Sequence, residues 1–384
     1  MPDREGAIDL PFLPYGKQQI ADADIKAVVE ALCSGWLTTG PRVAEFEKAF
    51  AAHCGAGEGV AVNSGTAALH CAMRAIRLAP GDEVIVPAIT FAASANAAVY
   101  EGGIPVFADV EPDTLLIDPV SVAIKITPRT RAIVAVDYAG QPADYDALRD
   151  LTKGRGIAII ADACHAPGAL YKGRKTGTLG DVSCFSFHPV KHLTTCEGGM
   201  ALTDDAAMAA HMRAFRSHGI ASDHRSREAA SAHAYDMVEL GYNYRLPDVQ
   251  CALGMAQLTR LEGWVASRQR IAALYDHALA GMAEATPLKT HGDRTNAHHL
   301  YVVKLADHVN RDRVFARMRE EGIGTNVHYA PVHLHSYYRG RGYGPGLAPV
   351  AEAVSKQILT LPMFPAMTEA DVNRVVVALH RAAV

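Results

Sequence analysis

Between Gly59 and Leu202 short apolar runs and helical patterns alternate without interruption, and no other feature restricts the fold as much. Runs of strand length stand at Gly59–Val62, Glu83–Val86, Pro105–Ala108, Ala132–Val136 and Ile157–Ala161. Two more, Asp181–Phe185 and Gly198–Leu202, flank a turn that carries Lys191. Helical spacing fills the intervals at Thr66–Leu78, Ala92–Tyr100, Ser121–Ile126 and Asp144–Lys153. A strand that returns through a helix comes back parallel to the one before it. The expectation is therefore an α/β chain whose seven strands form a mainly parallel sheet covered on both faces. In such sheets the working groups gather at the carboxyl ends of the strands.

The flanks extend this core. Ala23–Ser34 places Ile25, Val28, Val29 and Leu32 on one helical face, with Asp22 or Asp24 as cap and Gly35 as stop. Trp36-Leu-Thr-Thr-Gly-Pro then turns into a helix with Val43, Phe46 and Phe50 inward. Two helices, roughly Asp248–Leu261 and Glu262–Leu279, follow the sheet. Beyond Thr286 a strand (His299–Leu305), a helix (Arg311–Glu321), a strand (Gly324–His328) and a helix (Glu369–His380) read as a smaller C-terminal α+β domain. At 384 residues the chain exceeds the usual size of one core, and a division into 1–285 and 286–384 is expected. Ile220–Ala234, rich in Ser, Ala, His and Arg, reads as a mobile loop.

Several function classes drop out. A formal net charge of −4 offers no electrostatic case for nucleic acid or an acidic membrane surface. The polar start Met1-Pro-Asp-Arg-Glu lacks a signal peptide's apolar segment, and Val84–Val99 is broken by Pro87, Thr90, Ser94 and Asn96. Seven cysteines without a CxxC pair point to a reduced, cytoplasmic protein with free thiols.

The chemistry-bearing residues fall at strand ends. Lys191 lies within Ser183-Cys-Phe-Ser-Phe-His-Pro-Val-Lys-His-Leu-Thr-Thr-Cys-Glu-Gly-Gly199, among aromatic, proline and small hydroxyl residues with few opposing charges. A desolvated amine loses its proton more readily and becomes a nucleophile; the bland alternative is a surface lysine in a loop. Ser186, five residues earlier, offers a hydroxyl to a phosphate. In Asn63-Ser-Gly-Thr-Ala-Ala-Leu-His70, Gly65 permits a tight turn and the free N–H groups of Thr66 and Ala67 face an anion, although capping alone accounts for such residues. Asp162 closes the apolar run of Ile159-Ile-Ala-Asp-Ala-Cys-His-Ala-Pro-Gly168, where a carboxylate is costly unless paired. A protonated pyridine nitrogen is a suitable partner; a helix cap or a structural ion pair is the alternative. His165 is placed to lie against a ring and Phe91 to stack on one, and core packing is the default for each. An anion turn, a ring-stacking aromatic, a strand-end Asp and a lysine 29 residues later form the set that pyridoxal phosphate requires. His328, His333 and His335 lack the Cys or carboxylate that would complete a metal spacing, so no metal is expected.

These motifs make the chain similar to the sugar aminotransferases of the DegT/DnrJ/EryC1/StrS family, from about Pro14 to the C-terminus. The resemblance implies the fold type I architecture of aspartate aminotransferase. Ser183–Gly199, Gly241-Tyr-Asn-Tyr-Arg-Leu and Val327-His-Tyr-Ala-Pro-Val-His resemble most the UDP-4-amino-4,6-dideoxy-N-acetyl-β-L-altrosamine transaminases of pseudaminic acid biosynthesis. By that likeness Lys191 carries the cofactor as a Schiff base and Asp162 pairs with its ring nitrogen. Gly65, Thr66 and Ser186 hold the phosphate, Phe91 and His165 flank the ring, and Asn243 reaches the neighbouring subunit's site in a homodimer. Tyr15, the turn of Trp36, Leu37 and Thr38, and the segment Asn326, Val327, His328 and Tyr329 touch the nucleotide sugar. The implied reaction moves an amino group from L-glutamate, leaving 2-oxoglutarate, to C4 of a UDP-linked 4-keto-6-deoxy sugar. A sugar of the bacillosamine type or a dTDP-4-keto hexose is the alternative acceptor.

Two positions depart from the family pattern. Cys196 replaces the usual glycine before Glu-Gly-Gly and is expected to stiffen the turn after Lys191; Asp137 replaces a frequent histidine and is expected to bear on substrate specificity. Related sugar dehydratases carry histidine at the Schiff-base lysine, and related regulators append a DNA-binding module. Lys191 and the roughly ten residues before Leu10 speak against both.

Overall fold

All seven expected strands form and join one sheet in the computed structural model, which describes residues 11–220 and 234–384. The loop expected at Ile220–Ala234 lies, apart from its two end residues, outside the described residues. In chain order the strands are β1 (Glu58–Val62), β2 (Glu83–Pro87), β3 (Ile104–Ala108), β4 (Thr130–Val136) and β5 (Ala158–Asp162). Two short strands, β6 (Leu170–Tyr171) and β7 (Arg174–Lys175), stand apart, and β8 (Val182–Ser186) and β9 (Gly199–Thr203) complete the sheet. Its order is β1-β9-β8-β5-β4-β2-β3. β9 alone runs against the others: it pairs antiparallel with β8 and β1, and the remaining pairs are parallel.

Burial on both faces explains why these strands read as unbroken apolar runs. Val84, Val86, Val134 and Ile160 enter one core, with Leu69 and Met73 of helix α3 (Gly65–Ala75). Their immediate neighbours Ile85, Ile133, Ile159 and Ala161 point the other way, into a core shared with Tyr145 and Leu148. Before α3 lie α1 (Asp22–Leu32) and α2 (Pro41–Cys54); after it come α4 (Ala93–Tyr100), α5 (Pro119–Ala123), α6 (Tyr145–Thr152) and α7 (Ala206–Phe215). Helix α1 forms as expected but turns its apolar face outward. Ile25, Val29 and Leu32 are each more than half exposed, while Asp24 and Ala31 are buried. Asp24 accepts from Gln257 Nε2 at 2.7 Å and pairs with Arg260, and those bonds fix which face goes inward.

Helices α8 (Asp248–Leu258) and α9 (Leu261–Ala278) lead to the second lobe. Its antiparallel sheet has the order β10 (Ala285–Pro287), β12 (Tyr301–Leu305), β13 (Ile358–Leu361), while β11 (Arg294–Thr295) pairs with β6. Helices α10 (Arg311–Glu320), α11 (Ser336–Arg339), α12 (Pro349–Val354) and α13 (Glu369–Ala383) complete the chain. The strand expected at Gly324–His328 does not form: a single bridge, Asn326 to Thr360, is all that segment makes. Asn326 turns its own side chain onto the Val327 N–H at 2.8 Å, and side-chain bonds of this kind compete with a ladder. The lobe's core draws in Leu13, the α9 residues Ile271 and Tyr275, and Leu279 at the end of that helix, all from before residue 286. No helix among the described residues is long and apolar enough to cross a membrane.

Candidate active site

Reversal of β9 dictates the first element of the site. A chain leaving β8 must come straight back as β9, and the connecting loop is braced at both ends. The Phe187 N–H donates to the Gly198 carbonyl at 2.9 Å, and the Thr195 N–H to the Phe187 carbonyl at 3.0 Å. Phe187 itself packs on Phe46 and Phe50, its ring 5.4 and 5.1 Å from theirs. Lys191 sits in this loop, its N–H donating to the His188 carbonyl at 2.9 Å. Its side chain lines a cavity of about 570 Å³ at the carboxyl edge of the sheet. Among the described residues no hydrogen bond or ion pair engages the amine. Burial holds it below the ordinary lysine value and Arg268 pushes the same way, against Cys164 and Asp162.

Asp162, at the end of β5, faces the same cavity and is only 6% exposed. Ser94 Oγ donates to its Oδ2 at 2.6 Å, and the Cys164 N–H to its Oδ1 at 3.3 Å. No cation of the described residues pairs with it. A buried carboxylate so placed is costly without a positive partner, and a cationic ring nitrogen in the cavity fits that need.

Gly65 and Thr66 also line the cavity, where α3 begins. Their N–H groups find no acceptor among the described residues, and the helix dipole favours an anion there. A Cβ on Gly65 would lie 2.8 Å from the Ser186 Cβ, so glycine lets the helix end close on β8 and bring Ser186 beside the turn. Ala67 requires a correction. Its N–H, expected to be free, donates to Ser64 Oγ at 3.1 Å, because Ser64 is the helix N-cap; Ala67 does not line the cavity.

His165 is buried with Nε2 3.2 Å from the Tyr329 hydroxyl, and its Nδ1 has no partner among the described residues. Burial holds His165, His192 and His299 well below the usual histidine range, and His328 at about 3, so these imidazoles are neutral. Phe91, 58% exposed, lies at the mouth with its ring 6.1 Å from that of Tyr329. Tyr15, Asn326, Val327, His328 and Tyr329 line the side formed by the second lobe. His299, Thr90 and Ser94 were not singled out in the sequence. His299 lines the cavity with its ring 4.5 Å from that of His165, and nothing in the spacing of Asn296-Ala-His-His marks it.

Besides Ala67, four predicted positions lie outside this chain's cavity. Trp36, Leu37 and Thr38 form an exposed turn, and Asn243 is exposed with its carbonyl accepting from Asn63 Nδ2 at 3.4 Å. Asp137 is wholly buried and does not line the cavity, so the bearing on specificity expected of it gives way to a structural role. Cys196 has φ 67°, a left-handed conformation that suits glycine. Among the described residues no group of three or more His, Cys, Asp or Glu is placed to hold a metal ion.

The chain is similar over nearly its whole length to known proteins. The model of the DegT/DnrJ/EryC1/StrS aminotransferase family matches residues 18–380. The chain is 41% identical over 375 residues to the spore coat polysaccharide biosynthesis protein SpsC of Bacillus subtilis, with 96% of each covered. Spr1654 of Streptococcus pneumoniae, assigned as a sugar aminotransferase, superimposes in its PMP-form with a TM-score of 0.91 at 31% identity, over 98% of this chain and 99% of that one. Its PLP-form gives 0.90 at 30% identity, over 97% and 98%. Helicobacter pylori PseC, an aminotransferase involved in the biosynthesis of pseudoaminic acid, gives 0.90 at 29% identity, over 97% and 99%.

Proposed function

The chain belongs to the DegT/DnrJ/EryC1/StrS aminotransferase family, and from that premise we propose that it moves an amino group from L-glutamate to C4 of a UDP-linked 4-keto-6-deoxy-N-acetylhexosamine. The coarser statement holds outright: it is a sugar aminotransferase whose cofactor is pyridoxal phosphate. One arrangement carries the functional reading, namely a desolvated lysine amine and an unpaired buried carboxylate facing one cavity above an anion-binding helix end.

Bound pyridoxal phosphate supplies a reactive aldehyde carbon and a ring that accepts electrons. The protein does the rest. Lys191 Nζ, the only lysine amine on the cavity wall among the described residues, attaches the cofactor and, when free, takes the proton released from the donor's α-carbon and later returns it. Its lowered basicity brings the amine nearer to the unprotonated form that this task needs. Asp162 would hold the ring nitrogen in its cationic form, and the Gly65 and Thr66 N–H groups with Ser186 Oγ would hold the phosphate. His165 and Phe91 would lie against the ring. Tyr15 and the segment from Asn326 to Tyr329 are the sugar-facing wall.

Support for the UDP-linked acceptor comes from the likeness to PseC and from the Gly241–Leu246 and Val327–His333 motifs. A homodimer with shared sites is part of the proposal: Asn243, Trp36, Leu37 and Thr38 lie outside this chain's own cavity, and the proposal assigns them to the site of a second subunit. The outward apolar face of α1, with Ile25, Val29 and Leu32, favours such a contact. Seven free cysteines suit a cytoplasmic location.

An absorbance spectrum of the cofactor-loaded enzyme tests the proposal. Added L-glutamate should convert the near-visible band of the lysine-bound cofactor to that of its amine form, and Lys191→Ala should abolish the conversion. Acceptors are then offered to the amine form. Recovery of the band with a UDP-4-keto-6-deoxy-N-acetylhexosamine, and not with a dTDP-4-keto hexose or a bacillosamine-type ketone, is the expected result; the reverse preference refutes the assigned acceptor. Absence of any glutamate-driven conversion refutes the donor.

A further inference from the structure

Behind Asp162 stand two hydroxyls that the sequence did not mark and that no role described above employs. Ser94, in the first turn of α4, is completely buried, and Thr90, in the loop before it, is 2% exposed and touches the cavity. Ser94 Oγ lies 2.6 Å from Asp162 Oδ2, and Thr90 Oγ1 lies 2.7 Å from Ser94 Oγ. Distances alone leave the direction of the second bond open, but chemistry fixes it. An ionised carboxylate only accepts, so the single Ser94 proton goes to Asp162, and Thr90 must be the donor to Ser94. The chain runs one way, from Thr90 through Ser94 to Asp162.

We propose that Thr90 and Ser94 are positioning residues, a hydroxyl relay that orients the Asp162 carboxylate and keeps the proton shared with the cofactor on the ring nitrogen. The inference rests on the pairing of Asp162 with that nitrogen proposed above. A donor fixed on Oδ2 fills the place where Asp162 would otherwise carry a proton of its own. The proton between carboxylate and ring then rests on the ring, where it draws electrons from the reacting carbon. Oδ1 receives only the long Cys164 N–H bond, so Ser94 supplies the one short bond that sets the plane of the carboxylate. Thr90 strengthens that bond by polarising the Ser94 hydroxyl. With its proton directed inward, Thr90 presents lone pairs alone to the cavity.

The test loads wild type, Ser94→Ala, Thr90→Val, Thr90→Ser and Asp162→Asn with pyridoxal phosphate carrying nitrogen-15 in the ring. The ring nitrogen is read by NMR over about three pH units around neutrality, a range that spans the working pH of most such sites. Wild type and Thr90→Ser should show the protonated ring throughout. Ser94→Ala should move the signal toward the unprotonated ring, and Thr90→Val, which keeps the shape of threonine without its hydroxyl, should move it less far in the same direction. The kcat of Ser94→Ala should fall about 10- to 100-fold, the usual worth of one hydrogen bond to a charged group, with the acceptor KM unchanged. A wild-type signal in both Ser94→Ala and Thr90→Val, with Asp162→Asn unprotonated, overturns the relay and spares the pairing. A protonated ring in Asp162→Asn overturns the pairing itself. If the Ser94→Ala defect is a raised KM and a lowered melting temperature without a moved signal, Ser94 only packs, and the relay is again refuted.

Discussion

The substitution Asp137→Asn should stabilise this enzyme, and by more as the pH rises. Asp137 is completely buried beside the end of β5; its Oδ1 accepts from the Ala143 N–H at 3.0 Å and the Tyr145 hydroxyl at 2.8 Å, while Oδ2 has no partner among the described residues. Burial pushes its pKa up from 3.8 to about 8, and Asp162 adds to the push against the two donors and Arg294. At neutral pH the folded chain therefore keeps a proton here that the unfolded chain releases. The sign follows: stability falls as pH rises between 3.8 and about 8 and levels off above, because the unfolded state binds fewer protons across that window. Each unit costs about 1.4 kcal/mol, so some three units up to pH 7 set an upper bound of ~4 kcal/mol. The amide of Asp137→Asn would keep both bonds to its oxygen and place an uncharged N–H₂ where the acid places an O–H, so it buries no charge at any pH. Denaturant unfolding of both proteins, saturated with cofactor, at several pH values between about 5 and 8 measures the difference. It should be at least ~1 kcal/mol at neutrality and grow with pH, with the acceptor preference unmoved. A difference that stays flat would mean that Asp137 is ionised in the folded protein, and the reasoning would be wrong.

Two further outcomes follow from the same geometry. Cys196→Gly should raise stability by ~1 kcal/mol, since a side chain at φ 67° carries a left-handed cost that glycine avoids; an unchanged or lowered melting temperature would show that the thiol makes a compensating contact. Mixed Lys191→Ala and Asn243→Ala subunits, each inactive alone, should recover about a quarter of the wild-type activity through hybrid sites if subunits pair at random. No recovery under demonstrated subunit exchange would exclude a shared site.

Legibility of the chain divides along physical lines. The seven strands could be read because each is buried on two faces, which leaves an apolar run that little else produces. Lys191, Asp162, Gly65 and Ser186 could be read because their chemistry is unusual at strand ends, and the cavity gathers them. Ser94 was invisible for the opposite reason: a serine in an alanine-rich helix is unremarkable until the fold brings it against an aspartate 68 residues away. His299 meets His165 only through the packing of the second lobe on the sheet. Gly324–His328 and Ala67 failed through local competition, a side-chain bond in one case and an N-cap in the other. The outward turn of the α1 face could not be read because helical periodicity shows that a face exists and is silent on what covers it.

The reversed strand ties these observations into one cause. Had β9 been parallel, a helical crossover would separate it from β8, and no short braced loop would present Lys191 at the carboxyl edge. Because β9 returns directly, Ser186 faces Gly199 in the register, and both abut the start of α3. A Cβ on Gly199 would meet the Ser64 carbonyl at 2.4 Å, as one on Gly65 would meet Ser186 at 2.8 Å. Two glycines thus allow β8, β9 and the helix end to close to backbone contact, and the same closure places a hydroxyl and free N–H groups within reach of one anion. Lys191 leaves the loop between the two strands that make this contact, and Asp162 lies on β5, paired with β8 at Cys184. Phosphate cradle, lysine and carboxylate are therefore spaced by backbone hydrogen bonds of three adjacent strands rather than by flexible side chains. The spacing of a site for one rigid planar cofactor thus rests on the sheet, whereas the wall proposed to face the sugar is borne by the irregular 326–329 segment.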